Sequence, residues 1–119
     1  MPRVARVLVM LLFSACAPLA GSDGEDRRML SDLEIVIRDD GPLASMASDR
    51  LVSRGPTSIV ILETGLYRAE APARIRIIRA LEAIGSAEAV PILEHLSRRD
   101  PDNDVRARAR RGLSTLVRR

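Results

Sequence analysis

The segments "ARIRIIRALEAIG" (residues 73–85) and "VRARARRGLSTLV" (residues 105–117) superpose at an offset of 32. Ala73 meets Val105, Arg74 meets Arg106, Ile77 meets Ala109, Ala80 meets Gly112, Leu81 meets Leu113 and Ile84 meets Leu116. Small and apolar residues at this spacing form one stripe of a helix, and charged residues fill the rest. A step back of 30 residues finds a third copy. "GPLASMASDRLVSRG" (residues 41–55) sets Leu43 on Ala73, Ala47 on Ile77, Leu51 on Leu81 and Gly55 on Gly85. A helical pattern recurring about every thirty residues predicts an array of stacked units.

A second helical pattern lies between these segments. "SAEAVPILEHL" (residues 86–96) matches "PTSIVILETGL" (residues 56–66), with Val60 on Val90, Leu62 on Ile92 and Leu66 on Leu96. "MLSDLEIVIRD" (residues 29–39) fills the same role in the first copy. Gly41-Pro42, Gly55-Pro56, Gly85-Ser86 and Asp100-Pro101 are stop-then-start signals between helices. The runs "EIVI" and "SIVIL" are β-branched and have strand propensity, but their place in the repeat register makes helix the expectation. One Phe, one Tyr and no Trp leave an aliphatic core, which suits close-packed helices. The expected fold is all-α: a short α-solenoid of three helix pairs over residues 29–119, with repeats 29–55, 56–85 and 86–117.

"GSAEAVPILEHLSRRDPDNDVRARARRGLSTL" (residues 85–116) resembles the HEAT-like repeats first noted in bilin lyase-type proteins. The residues that carry the resemblance are Gly85, Ala89, Val90, Pro91, Leu93, Leu96, Asp100, Asp104, Val105, Arg106, Ala109, Leu113 and Leu116. It extends over residues 56–117. The first copy departs from it, with Ala44 where the pattern has Arg, and the middle copy has Pro72 where it has Asp. The resemblance implies a non-catalytic interaction module. It also implies that Arg74 and Arg106 bridge to Asp in a neighbouring repeat, with Asp104 in the same structural joint. Some solenoids of this kind hold DNA in a basic groove, and bilin-lyase-like activity has only the family for support.

The stretch "RRDPDNDVRARARRGL" (residues 98–113) changes sign halfway along. Asp100, Asp102 and Asp104 imitate the first ligands of an EF-hand. That loop needs Gly at its sixth position and Glu at its twelfth, where this chain has Val105 and Arg111, so no metal site is expected. The aspartates suit a helix start, with Asp100 as a candidate cap. Further along, Arg108 and Arg111 lie opposite the apolar stripe, and Arg76 and Arg79 are their repeat partners. These four form a candidate partner-binding ladder for an acidic protein segment or an anionic lipid. Met46 and Asp49 hold the equivalent places in the first copy, so the ladder is basic at one end. The competing reading is a solvated face of an Arg-rich chain.

The N-terminus "MPRVARVLVMLLFSAC" has Arg3 and Arg6, an apolar run from Val7 to Phe13 and then small residues, which is the layout of an export signal. "LFSAC" resembles the lipobox of bacterial lipoproteins. By that resemblance residues 1–15 are removed and Cys16 is lipidated; the competing reading is ordinary signal cleavage after Ala17, since Ala15-Cys16-Ala17 fits the A-x-A pattern. With the short, polar, Gly-containing stretch that follows, residues 16–28 read as lipidated Cys and flexible spacer. The product would be an exported, membrane-anchored protein of the cell envelope. From Cys16 onward 17 Arg face 16 acidic residues, so the mature charge is close to neutral, which argues against bulk coating of nucleic acid. The near absence of aromatics for stacking on bases argues the same way. Enzyme chemistry finds no footing either. His95 is the sole histidine, no Ser-His or Cys-His pair is available, and no Gly-rich phosphate loop or cofactor motif occurs.

Overall fold

Proline and glycine punctuate the chain as their backbone chemistry requires. Pro42, Pro72 and Pro91 each stand in the first turn of a helix, where a backbone N–H has no intrahelical partner to lose. Gly55 and Gly85, at φ of +69° and +72°, turn the chain sharply after a helix, in a region that side-chain-bearing residues rarely adopt. A computed structural model describes residues 22–118, which form six helices. They are α1 (Ser22–Arg38), α2 (Pro42–Ser53), α3 (Ile59–Leu66), α4 (Ala71–Ile84), α5 (Val90–Arg99) and α6 (Asn103–Arg118). Short 3-10 turns, Gly55–Ser58 and Ala87–Ala89, lead into α3 and α5. No strand occurs among the described residues. "EIVI" lies within α1, and "SIVIL" runs from the 3-10 turn into α3.

The helices pack as three antiparallel pairs, α1 with α2, α3 with α4, and α5 with α6. The pairs stack so that α4 lies between α2 and α6, while α1 runs beside α3. A continuous aliphatic core follows. Leu33, Leu51, Leu62, Ile77, Ile78, Leu81, Leu93 and Val105 are all fully buried within it. Each such side chain contributes about 1.5–3 kcal/mol on burial. The approach of α1 to α3 is close enough to need glycine: a Cβ on Gly65 would stand 2.6 Å from Leu33 Cδ1.

The structure corrects the repeat register in the first helices. Fully buried Leu62 corresponds to fully buried Leu93, and buried Gly65 to Leu96, a step of 31 rather than 30. Val60, which the 30-residue step pairs with Val90, is exposed. The cause is turn length, since α3 begins four residues after Gly55 and α5 five after Gly85. The 30-residue step between α2 and α4 holds, with Ala47 and Leu51 buried like Ile77 and Leu81, although Leu43 is 61% exposed where its match Ala73 is buried.

The expected spacer also changes. Helix α1 starts at Ser22, so residues 22–28 are helical, with Arg54 pairing with Glu25 across to the end of α2. Acidic residues early in the helix favour its positive end. Just beyond, Met29 is buried, its sulfur 3.8 Å from the hydroxyl of Ser58, which donates to the Leu51 carbonyl at 2.6 Å. The first helix pair is therefore fully formed. The leader, Cys16 and the rest of the spacer lie outside the described residues.

Candidate interaction surface

The arginines decide the character of the surface, and the structure sorts them by what each touches. Arg74 sits one residue past the buried Ala73 of α4 and reaches forward to the next repeat. Its Nε and Nη2 donate to the two carboxylate oxygens of Asp100 at 2.8 and 3.0 Å, and its Nη1 donates to the Ala69 carbonyl at 2.8 Å. The arginine side chain is 16% exposed and the aspartate 4%, so this is a desolvated, bidentate clamp between the second and third repeats. This is the bridge to an aspartate of a neighbouring repeat that the resemblance implies for Arg74, whereas the sequence marks Asp100 itself as a candidate helix cap. The cap of α6 is Asp102, whose Oδ1 accepts from the N–H groups of Asp104 and Val105 at 2.8 and 3.0 Å.

Arg106, the repeat partner of Arg74, makes only half of these contacts. Its Nη1 donates to the Asp100 carbonyl at 2.6 Å and its Nη2 to Asn103, with no aspartate of another repeat in reach. The expected inter-repeat bridge from Arg106 is absent because no fourth repeat stands beyond α6 among the described residues. Asp104 is exposed in the first turn of α6 and joins no inter-repeat ion pair there.

The expected four-arginine ladder separates into two pairs. Arg76 is half-buried and closes the C-terminal end of α1, donating to the Val36 carbonyl at 2.9 Å and the Ile37 carbonyl at 3.3 Å. Arg108 is 16% exposed and pairs with Glu82 of α4 at 2.5 Å. Both residues reach back to the preceding repeat, so neither projects freely to a partner. A helical wheel drawn for one helix missed this, because stacking covers the flanks of α4 and α6 as well as their inner stripe. Arg79 and Arg111 remain exposed, and among the described residues neither joins an ion pair. They occupy equivalent places on α4 and α6, with Asp49 in the same place on α2. Their helical neighbours on this face are short or partly buried: Ile75 and Ala83 beside Arg79, Ala107 and Thr115 beside Arg111. The result is a shallow strip carrying two free guanidinium groups over its C-terminal two-thirds and a carboxylate at its N-terminal end.

The opposite face, made by the first helices, is less tightly closed. A groove of about 500 Å³ runs between α3 and α5, and Leu66, Tyr67, Ile92, His95 and Leu96 are among the residues that line it. His95 is exposed there. No group of three His, Cys, Asp or Glu among the described residues is arranged to hold a metal ion. At the N-terminal end of the stack, Arg50 of α2 donates through Nε and Nη2 to Asp32 of α1 at 3.0 and 2.8 Å. That hydrogen bond raises the Arg50 pKa above its ordinary value, while burial opposes the shift.

No curated protein and no solved structure matches the chain. A family model described as HEAT repeats matches residues 51–114, which is more than half of the sequence and runs from the end of α2 to the middle of α6. With its three stacked helix pairs and the arginine clamp between the second and third, the chain belongs to the HEAT-repeat family.

Proposed function

We propose that this protein is a non-catalytic scaffold of the bacterial cell envelope, tethered to a membrane through Cys16, that holds an acidic protein segment on the outer face of α4 and α6. One observation carries the binding reading. Arg79 and Arg111 stand at the same position of successive repeats, exposed and unpaired among the described residues, on a strip whose neighbouring side chains are short. Two like charges held on adjacent helices gain nothing for the fold, and an extended carboxylate-bearing chain would satisfy both. HEAT repeats generally mediate protein–protein contacts, which supports the scaffold role. The tether rests on the "LFSAC" sequence. Among the described residues no helix is long and apolar enough to cross a membrane.

The binding test uses a labelled peptide of alternating Glu and Leu, followed by fluorescence anisotropy, with phosphatidylglycerol vesicles as a second probe. Wild-type protein should bind the peptide, and more weakly as salt rises. Arg79→Glu/Arg111→Glu should abolish this binding, while Arg27→Glu/Arg28→Glu, an equal charge reversal on α1, should leave most of it. Equal loss from both pairs would show that net charge alone acts. Binding to vesicles but not to peptide would assign the strip to lipid. The tether is tested separately by labelling with a lipid precursor, which Cys16→Ser should eliminate.

A further inference from the structure

The second-to-third repeat clamp has equivalents elsewhere in the stack that no ion pair within the described residues uses. Asp39, Ala69 and Asp100 occupy one structural position. Each follows a first helix and donates its backbone N–H to the residue four before it: Asp39 to Ile35 at 2.9 Å, Ala69 to Gly65 at 3.0 Å, Asp100 to Leu96 at 3.2 Å. Ala44, Arg74 and Arg106 occupy the matching position near the start of each second helix, and the two arginines both donate to their own loop carbonyl, at 2.8 and 2.6 Å. Between repeats one and two the pair is Ala44 and Ala69, both buried. Between repeats two and three it is Arg74 and Asp100. Each junction thus has two alanines or a complete ion pair, never one half. The leftover members are Asp39 on the N-terminal end face and Arg106 on the C-terminal end face. Asp39 is exposed and Arg106 partly so, and among the described residues neither is in an ion pair.

Two further observations point to what joins them. On α2, Leu43 and Met46 are 61% and 54% exposed. Their equivalents in the second repeat are buried Ala73 and Arg76, and Arg76 packs on the preceding repeat, so these side chains mark a stacking face that no described residue covers. The stack is also polarised along its axis. Residues 22–67 hold 5 Arg and 9 acidic residues, and residues 68–118 hold 11 Arg and 7. An acidic, partly apolar start complements a basic end. We propose that copies of this chain associate head to tail, with Arg106 of one copy taking Asp39 of the next and the neighbour's α6 covering Leu43 and Met46. Such a contact is heterologous and leaves both outer ends open, so association continues beyond two copies. An end face one helix pair wide is small, which places the association in the weak, concentration-dependent range.

The test is sedimentation velocity of the full-length chain from about 10 to about 500 µM, a range suited to a small interface. Wild-type protein should show a continuous rise in mean mass with concentration, diminished at about 500 mM salt relative to about 50 mM. Arg106→Asp alone and Asp39→Arg alone each set like charges against one another and should weaken association by about tenfold or more. In an equimolar mixture every junction between unlike variants is matched, one native and one reversed, so association should recover with the two variants in alternation. Wild-type protein that stays monomeric throughout the range, a species that stops at two copies, or a mixture that fails to recover would each overturn the proposal. If circular dichroism shows that Arg106→Asp unfolds α6, Asp39→Arg and Leu43→Asp replace the pair. Both positions are exposed in the single chain, so retained association in either folded variant overturns the proposal equally.

Discussion

Replacing Arg74 by alanine removes three hydrogen bonds, two to the Asp100 carboxylate and one to the Ala69 carbonyl. Asp100, 4% exposed at the side chain in the intact pair, then keeps only the Asp102 N–H, 3.0 Å away, as a donor. Leaving one member of a buried pair uncompensated costs about 3–5 kcal/mol. Asp100→Ala strands a guanidinium that still holds the Ala69 carbonyl, and should cost somewhat less, about 2–3 kcal/mol. The double variant Arg74→Ala/Asp100→Ala strands no charge, only the neutral Ala69 carbonyl and Asp102 N–H that the two side chains had engaged. It gives the second junction alanines at the two positions that buried Ala44 and Ala69 hold at the first. Its loss should fall well short of the sum of the single losses, leaving a coupling of about 2–3 kcal/mol. In a domain of this size about 3 kcal/mol corresponds to a fall in Tm of about 12–24 °C. Urea and thermal unfolding of the wild type and three variants, followed by far-UV circular dichroism, measure the cycle. Single losses that add to within about 0.5 kcal/mol would show that water screens the pair and that the clamp does not hold the second junction.

The arginines of α4 give a second expectation. Arg76→Ala uncaps the end of α1 and should cost about 1–2 kcal/mol, whereas Arg79→Ala, three residues on, should change stability by less than about 0.5 kcal/mol. Leu81→Ala should cost about 2–5 kcal/mol, and Leu113→Ala less, because Leu113 is only partly buried where Leu81 is fully so; denaturant unfolding compares them directly. Gly112→Ala should stabilise by about 0.5–1 kcal/mol, since a Cβ there meets Leu93, Glu82 and Ile78 at ordinary contact distances of 3.5–3.7 Å while the helix gains propensity. Gly65→Ala should destabilise, because its methyl would meet Leu33 within the core; a higher Tm for this variant would refute the close approach of α1 to α3.

The periodicity of residues 73–85 and 105–117 was enough to reveal the all-α repeat fold, because a buried helical stripe is a local property that sequence records directly. Positions such as Ile77, Leu81 and Ala109 follow from it. The register of α3 and α5 did not, since one added residue in a turn shifts a whole helix while leaving both apolar patterns intact. The candidate surface was half legible. Arg79 and Arg111 point outward because their own helix requires it. The engagement of Arg76 and Arg108 depends on neighbouring helices, on Val36, Ile37 and Glu82, which lie 26 to 40 residues away in the chain. The bridge from Arg74 to an aspartate of the next repeat was legible through the family resemblance, and the structure supplies which one, Asp100.

Arg76 and Arg108 share a direction that bears on how the chain is made. Each lies on the second helix of its repeat and completes the repeat synthesised before it, Arg76 by closing α1 and Arg108 by reaching Glu82 of α4. A chain emerging from the ribosome N-terminus first, or threading vectorially through an export channel, would present α1 and α2 as a unit whose last carbonyls wait for a later guanidinium. Its stability would then rise in steps as each following helix pair arrives. Contacts this short in sequence close quickly and need no distant segment, so assembly can proceed in order from one end without waiting for the whole chain.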